Sequence, residues 1–207
     1  MGRTSTGTKE KLIETARELI WRESYNAVSV DEICKRADVK KGSFYHYFPS
    51  KAHLAVEAMD AGMQEMKDIY DDIFSPTRPP VERFRLMAQH VIDHQKEIAA
   101  EYGHVCGCPF AGLGSEIAGQ NDVISEKVAD ICVKKSAYYQ SALRDLIAEG
   151  RVDASLNVEA KANELFSFII GQMIMAKIWN DLTFLEKNLE RGIFDLIGLK
   201  MNMREAI

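Results

Sequence analysis

The sequence predicts an all-α protein of about nine helices. Apolar residues recur at helical spacing along nearly the whole chain, and five prolines leave long stretches free of helix breakers. No sustained alternation of apolar and polar residues occurs, and no Asn-Gly or Asp-Gly pair marks a hairpin turn. These observations argue against a β-sheet.

The predicted helices begin and end at recognisable signals. Ser29 is a good N-cap with Glu32 three residues later, Pro109 stands where a first helical residue is favoured, and Gly150 stops a long helix. Together with the apolar stripes, these signals place helices at about 9–22, 29–36, 41–47, 51–74, 81–102, 109–118, 122–149, 158–179 and 182–202.

Charge is distributed unevenly along the 207 residues, whose formal net charge is -5. Residues 1–51 carry ten Lys/Arg and seven Asp/Glu, whereas residues 52–207 carry sixteen and twenty-four. Because the positive charge is placed at one end, an acidic chain can still bind nucleic acid there. We expect a basic N-terminal domain over 1–51 and a larger domain over 52–207.

Composition excludes several classes of protein. With 46% hydrophobic and 28% charged residues, the chain has the composition of a folded domain rather than a disordered one. No apolar run approaches the roughly 20 residues that span a bilayer, and no export signal opens the chain. We therefore expect a cytoplasmic protein with no membrane partner, whose four cysteines are reduced thiols.

Two short helices joined by a tight turn through Asp38 and Val39 predict a helix-turn-helix. In the second short helix, Phe44 and Phe48 can bury one face. Gly42 lets the backbone approach either DNA or a neighbouring helix. The opposite face carries donors suited to phosphates and base edges, namely Lys40, Lys41, Ser43, Tyr45, His46 and Tyr47.

The stretch from Ser29 to Leu54 closely resembles the DNA-binding signature of the TetR family of transcriptional regulators. In that family the recognition helix ends in Tyr-x-Tyr/His-Phe, and a lysine opens the next helix. Here those places are filled by Tyr45, Tyr47, Phe48 and Lys51. The resemblance covers roughly residues 8–60 and implies a helix-turn-helix at about 29–48.

The resemblance also implies a role for each matching residue. Phosphate contacts would come from Ser29, Tyr45 or Tyr47, and Lys51. Base contacts would come from Lys40, Lys41, Ser43 and His46, while Arg3 and Thr4 would reach an adjacent groove or phosphate.

Two positions depart from the family pattern. Asp38 stands where a turn glycine is usual, and aspartate tolerates left-handed backbone better than most residues. Lys40 stands where a capping serine or threonine is common, so we expect the recognition helix to be less well capped.

After residue 60 the resemblance is weaker, and it implies a helical bundle whose last two helices pair with those of a second copy. Each of these helices carries an apolar stripe, formed by Leu165, Phe166, Ile169, Met173 and Ala176 and by Leu182, Leu185, Leu189, Ile193, Leu196 and Ile197. The same stripes also suit the core of one copy. Gly171 would allow close helix approach. We expect a homodimer on a palindromic operator in double-stranded DNA.

The segment Cys106-Gly107-Cys108-Pro109-Phe110 is the most informative part of the larger domain. Cys108 is placed at the N-cap of a helix, where the helix dipole favours the thiolate, and Cys106 is close enough to act with it. The segment resembles a TetR subgroup that includes regulators answering to electrophiles and oxidants, whose relatives also carry a lysine near Lys177.

Three interpretations of the larger domain stay open. The cysteines sense thiol-reactive compounds, or a small lipophilic effector binds a pocket, or the cysteines only fill space. For a pocket, Phe110, Met173 and Trp179 are candidate lining residues, with Tyr102 and Tyr138 beside them. His90 and His94 share one helix face without a third ligand, so we expect them at the surface and expect no metal.

These observations favour a DNA-binding regulator, expected to be a repressor released by an effector or by thiol modification. The alternative is a thiol oxidoreductase using Cys106 and Cys108. Such enzymes generally use Cys-x-x-Cys beside a βαβ unit, and this chain has Cys-x-Cys. No Ser/His/Asp set, phosphate loop or metal cluster is evident, so we expect no enzyme activity and no cofactor.

Overall fold

The computed structural model describes residues 5–120 and 122–199, with side chains described from residue 7 onward. Within those ranges every regular element is an α-helix, which confirms the predicted all-α class. Arg3 and Thr4, expected to contact DNA, lie outside the described residues. The helices are α1 (Ser5–Arg22), α2 (Val30–Arg36), α3 (Lys41–Tyr47), α4 (Lys51–Ile73), α5 (Pro80–Tyr102), α6 (Pro109–Glu116), α7 (Asp122–Ala148), α8 (Val158–Trp179) and α9 (Thr183–Ile197).

Two helix boundaries differ from the sequence prediction by four residues or more. Helix α1 begins at Ser5 rather than near residue 9, ahead of its apolar stripe. Helix α9 ends at Ile197 rather than near residue 202, because Gly198 adopts a left-handed backbone with φ of 68°. Its N–H then donates to the carbonyl of Asp195, which closes the helix.

The turn between α2 and α3 has the predicted conformation. Asp38 is left-handed with φ of 53°, and the next N–H, that of Val39, donates to the carbonyl of Cys34 at 2.9 Å. Lys40 is the N-cap of α3 and makes no side-chain capping bond, as expected. By contrast, Ser29 caps α2, because its Oγ accepts from the N–H of Glu32 at 3.1 Å.

The chain divides into two compact units. The first comprises the described residues of Met1–Lys67 and Cys108–Ile131, and the second those of Asp68–Gly107 and Cys132–Ile207. Helices α4 and α7 each contribute residues to both units. The first unit packs α1, α2 and α3 on a core of Leu12, Ala16, Leu19, Val28, Ile33, Cys34, Ala37, Phe44, Phe48 and Leu54.

In the second unit, an ion pair between the buried Arg83 and the partly exposed Asp145 joins α5 to α7. Arg83 is 2% exposed, and its Nη1 lies 2.5 Å from Oδ2 of Asp145. The same guanidinium donates to the carbonyls of Arg78 and Pro76 at 2.9 and 3.2 Å, so its buried charge is fully engaged.

Helices α8 and α9 approach closely at Gly192, where any Cβ would collide with the ring of Phe168. Within the single chain, nothing in the described residues lies within 4 Å of the Cβ position of Gly171, so the close approach expected there stays a prediction about the dimer. No helix in the described ranges is both long and apolar enough to cross a lipid bilayer.

Candidate DNA interface and sensor region

Helix α3 buries one face and presents the other to solvent. Phe44 and Phe48 are 0% and 1% exposed, with ring centroids 5.8 Å apart, and they anchor α3 in the core of the first unit. Lys40, Lys41 and His46 are exposed on the other side, and Tyr45 is 53% exposed although it is aromatic. A tyrosine that stays exposed gives up the stabilisation that burial of its ring would bring. Its ring and hydroxyl can instead contact a partner that binds this polar face.

Nothing lies within 4 Å of the Cβ position of Gly42. A neighbouring helix therefore does not explain the glycine, and its open backbone remains available for close approach to DNA.

A groove of about 990 Å³ lies beside α3. It brings together four of the predicted DNA-binding residues, Lys40, Ser43, His46 and Tyr47. Gly42, Asp38 and Val39 of the predicted helix-turn-helix also line it. Residues that the sequence did not single out complete the lining, namely Gly7, Thr8, Lys11, Cys34 and Lys35. Three lysines from three segments therefore face one concave surface, which suits a polyanion.

Three of the other predicted residues are engaged in contacts within the protein. The Oγ of Ser29 caps α2, and Nζ of Lys41 pairs with Oδ1 of Asp31 at 2.8 Å. Lys51 donates from Nζ to the carbonyls of Tyr25 and Val28, both at 2.8 Å. Its Nζ also lies 4.0 Å from the centroid of the Tyr25 ring. An ammonium has three N–H donors, so these two hydrogen bonds leave one donor of Lys51 for another acceptor.

The two lysines respond differently to their surroundings. The hydrogen bond to Asp31 raises the pKa of Lys41, and the charge of Asp31 adds to the effect. Burial lowers the pKa of Lys51, an effect that the nearby carboxylate of Glu116 opposes.

In the second unit, the loop after α5 is held by hydrogen bonds from α5 and from the end of α8. Gly103 and Gly107 have φ of 78° and 70°, conformations that favour glycine. Buried Gln95 accepts from the N–H of Gly107 at 3.1 Å and donates to its carbonyl at 3.3 Å. The N–H of Val105 donates to Oδ1 of Asn180 at 2.9 Å. The loop is therefore a defined structure rather than a loose connection.

Cys106 is 2% exposed within this loop, and its Sγ lies 3.6 Å from Nε2 of His104. Burial raises the pKa of its thiol, whereas the ammonium of Lys177 acts to lower it. The side chain of Lys177 lies along Gly107, 3.4 Å from the Cβ position of that glycine. Cys106, Lys177 and Met173 thus meet at one place in the second unit, since the carbonyl of Met173 is also 3.4 Å from that position.

The remaining predicted sensor residues do not join this group. Cys108 is the N-cap of α6, as predicted, and is 7% exposed; both it and Phe110 belong to the first unit. Trp179 is 51% exposed and packs edge-on against Phe184, with centroids 5.3 Å apart, rather than lying among buried residues.

The expectation that His90 and His94 lie at the surface is wrong. Both are half-buried, and their rings stack with centroids 5.8 Å apart. Burial lowers the pKa of each, and the positive charge of Lys135 adds to this. The ring of Tyr70 contacts His90 edge-on at 6.2 Å. Helical spacing alone did not reveal this, because the neighbours Tyr70 and Lys135 lie on other helices, α4 and α7.

Two further polar groups lie in the second unit. Tyr138 donates to Oδ1 of Asp71 at 2.5 Å, and burial together with this bond raises its pKa to about 12. On α8, Oε1 of Gln172 is buried and accepts no hydrogen bond from the described residues. A buried acceptor without a donor is costly and is often satisfied by water or a ligand.

The chain matches two family descriptions. Residues 12–58 match "Bacterial regulatory proteins, tetR family", and residues 80–190 match "Tetracyclin repressor-like, C-terminal domain". It is 25% identical to the HTH-type transcriptional regulator in the lacX 3′ region of Lactococcus lactis subsp. lactis, over 93% of this chain and 96% of that one.

Two further similarities extend over most of the chain. The HTH-type transcriptional repressor NemR of Escherichia coli strain K12 is 24% identical, over 90% of this chain and 92% of its own length. The crystal structure of the regulatory protein TetR from Rhodobacter sphaeroides superposes with a TM-score of 0.79 at 26% identity, covering 90% of this chain and 97% of that one.

Proposed function

This chain belongs to the TetR family of transcriptional regulators, and on that premise we propose that it is a cytoplasmic homodimeric repressor of its own operator. It binds a palindromic DNA site through α2 and α3. It leaves that site when the second unit binds a small lipophilic effector or when its thiols are modified.

The observation that carries DNA binding is the concave surface beside α3. Lys11, Lys35 and Lys40 line it with His46 and Ser43, so cations for phosphates and donors for base edges face the same side. The buried Phe44 and Phe48 hold α3 rigidly beneath them. A rigid support matters because base readout depends on side-chain positions.

Dimerisation is supported by apolar side chains left exposed on α8 and at the start of α9. Ile174, Ile178 and Phe184 are 39%, 66% and 37% exposed, and the open Gly171 lies on the same helix as the first two. A partner helix would remove this surface from water. A two-fold dimer also carries two recognition helices, which suits a palindrome with half-sites about 34 Å apart.

Two routes of release are supported by different observations. For a pocket ligand, Oε1 of Gln172 offers a buried acceptor without a donor among the described residues. For a thiol route, Cys106 lies beside His104; burial raises the pKa of its thiol, and the charge of Lys177 opposes that rise. Either event need stabilise the dimer geometry that does not bind DNA by only about 1–3 kcal/mol to change operator occupancy severalfold.

The alternative of a thiol oxidoreductase is not supported. Members of this family are regulators rather than enzymes, and the described residues contain no β-strand on which a Cys-x-x-Cys site of that kind is built.

A gel-shift assay with the DNA upstream of the chain's own gene tests the proposal. The purified protein should retard one upstream fragment at low salt, and an unlabelled copy of that fragment should compete better than random DNA. Absence of any shift, or a shift that random DNA removes equally well, would rule out operator binding.

A further inference from the structure

The loop between α1 and α2 is held by a carboxylate from a distant part of the sequence. Oε2 of Glu116 accepts the backbone N–H of Tyr25 at 2.9 Å, and its Oε1 accepts that of Asn26 at 2.6 Å. One carboxylate therefore binds two consecutive backbone amides. Hydrogen bonds to a charged acceptor are about twice as strong as neutral ones.

The same loop is held from its other side by Lys51. Its Nζ donates to the carbonyls of Tyr25 and Val28, so the N–H of Tyr25 faces Glu116 while its carbonyl faces Lys51. Glu116 also acts electrostatically on Lys51, which places the two charges near each other. We call the contacts of Glu116 and Lys51 with residues 25–28 the loop clamp.

Glu116 is held in a fixed place by the packing of α6. Phe110, Leu113 and Ile117 are 7%, 5% and 2% exposed in the core of the first unit. On the neighbouring turn, the Cβ position of Gly114 is 3.0 Å from a methyl group of Val128, which leaves α6 little room to shift toward α7. The carboxylate thus extends from a helix that is packed within the first unit.

What the loop clamp positions is the start of the DNA-binding motif. Val28 is fully buried, and Ser29, the next residue, caps α2. Because α2 packs on α3, the path of residues 25–28 determines where both helices begin. We propose that Glu116 is a positioning residue for operator binding: through the two amides it holds α2 and α3 in the arrangement that fits DNA.

This proposal rests on the proposed function, because its main measurement is operator binding. It also predicts the direction in which operator affinity changes when the carboxylate is removed. A carboxylate that merely lies in a DNA-binding unit repels phosphates, so removing it should strengthen DNA binding. A carboxylate that positions the motif has the opposite effect, because its loss lets the loop move and the fitted arrangement becomes less populated.

The test compares full-length Glu116→Ala and Glu116→Gln with wild type on the footprinted upstream duplex by fluorescence anisotropy. Glu126→Gln is the matched control, since it removes an exposed carboxylate from α7 in the same unit. We expect Glu116→Ala to raise Kd by about tenfold. Glu116→Gln should raise it less, because glutamine keeps one acceptor oxygen. Glu126→Gln should leave Kd unchanged or lower it slightly.

Two further readouts separate positioning from other roles. The slope of log K against log salt should stay that of wild type in Glu116→Gln, because no phosphate contact is removed. Amide exchange measured by NMR should show Tyr25 and Asn26 protected in wild type and faster in Glu116→Gln, with the dimer unchanged. Equal exchange of these amides in both proteins, or tighter operator binding by Glu116→Gln, would overturn the proposal.

The two proposals fail in distinguishable ways. If wild type binds no upstream DNA, the proposed function fails, and amide exchange still decides whether Glu116 holds the loop. If Glu116→Ala does not fold, the milder Glu116→Gln and the amide protection of wild type still decide whether Glu116 positions the loop.

Discussion

Lys41 and Asp31 form an ion pair between α3 and α2, with Nζ and Oδ1 2.8 Å apart. Both side chains are exposed, at 52% and 71%, so the pair contributes little to stability. It does decide what the DNA meets at this point of the surface. A lysine already paired with a carboxylate offers less charge to a phosphate than its position alone suggests.

Asp31→Asn should therefore strengthen operator binding. The change removes one negative charge from the DNA-binding unit and leaves Lys41 unpaired, and both effects favour contact with phosphates. We expect Kd to fall severalfold at low salt in an anisotropy titration, with a smaller gain at high salt because of screening. Glu159→Gln on α8 is the control, and an affinity gain of equal size there would contradict the local explanation.

Each lysine of the groove should account for part of the salt dependence of DNA affinity. Lys40→Ala, Lys35→Ala and Lys11→Ala should each weaken binding to all DNA sequences and lower the slope of log K against log salt by about 1. Lys187→Ala, an exposed lysine on α9, is the matched control. Groove variants with wild-type slopes would show that the groove is not the phosphate-binding surface.

Much of this region was predictable from local signals. Three features each follow from residue type and spacing: the left-handed backbone of Asp38, the missing side-chain cap at Lys40, and the burial of Phe44. Contacts across the chain were not predictable. Glu116 meets Asn26 from 90 residues away, and nothing in the local sequence of either predicts the contact. The half-buried His94 was missed for a similar reason, since its own helix does not show which other helices pack on it.

Dimerisation should depend on the exposed apolar face of α8. Ile178→Glu places a charge on a side chain that is 66% exposed, so the folded monomer should tolerate it while a packed dimer should not. Val133→Glu on α7, where the valine is 69% exposed, is the matched control. Light scattering after gel filtration should give a monomer for Ile178→Glu only. A monomer for Val133→Glu and a dimer for Ile178→Glu would move the interface to α7.

Among the thiols of the loop after α5, Cys108 should react before Cys106. Cys106 is more deeply buried, and burial raises the pKa of its thiol. We expect mass spectrometry of protein treated with N-ethylmaleimide in a Cys132→Ser background, which removes the half-exposed thiol, to show this order. Lys177→Met should slow the labelling of Cys106 further. The thiol route also requires that labelling releases the operator, and labelled protein that still binds DNA would exclude that route.

Acid should destabilise the second unit through His90 and His94. Their pKa values are lowered in the folded state, first by burial, while Asp93 and Glu97 oppose the shift in His90. The unfolded chain therefore takes up protons more readily than the folded one, and the free energy of unfolding should fall as the pH drops below about 6.5. In urea unfolding at several pH values, the free energy of unfolding should depend less on pH for the double variant His90→Asn/His94→Asn than for wild type. An equal flattening by His46→Asn, an exposed histidine, would contradict this assignment.

Hydroxyl-radical footprinting on the upstream DNA tests most directly whether two copies of α3 read one palindromic site. We predict two protected segments related by two-fold symmetry, with centres about 34 Å apart or a multiple of one helical turn. With Lys40→Ala, a higher protein concentration should be needed to give the same protection pattern. Two protomers should bind per site. A single protected segment, or uniform protection without symmetry, would contradict the account.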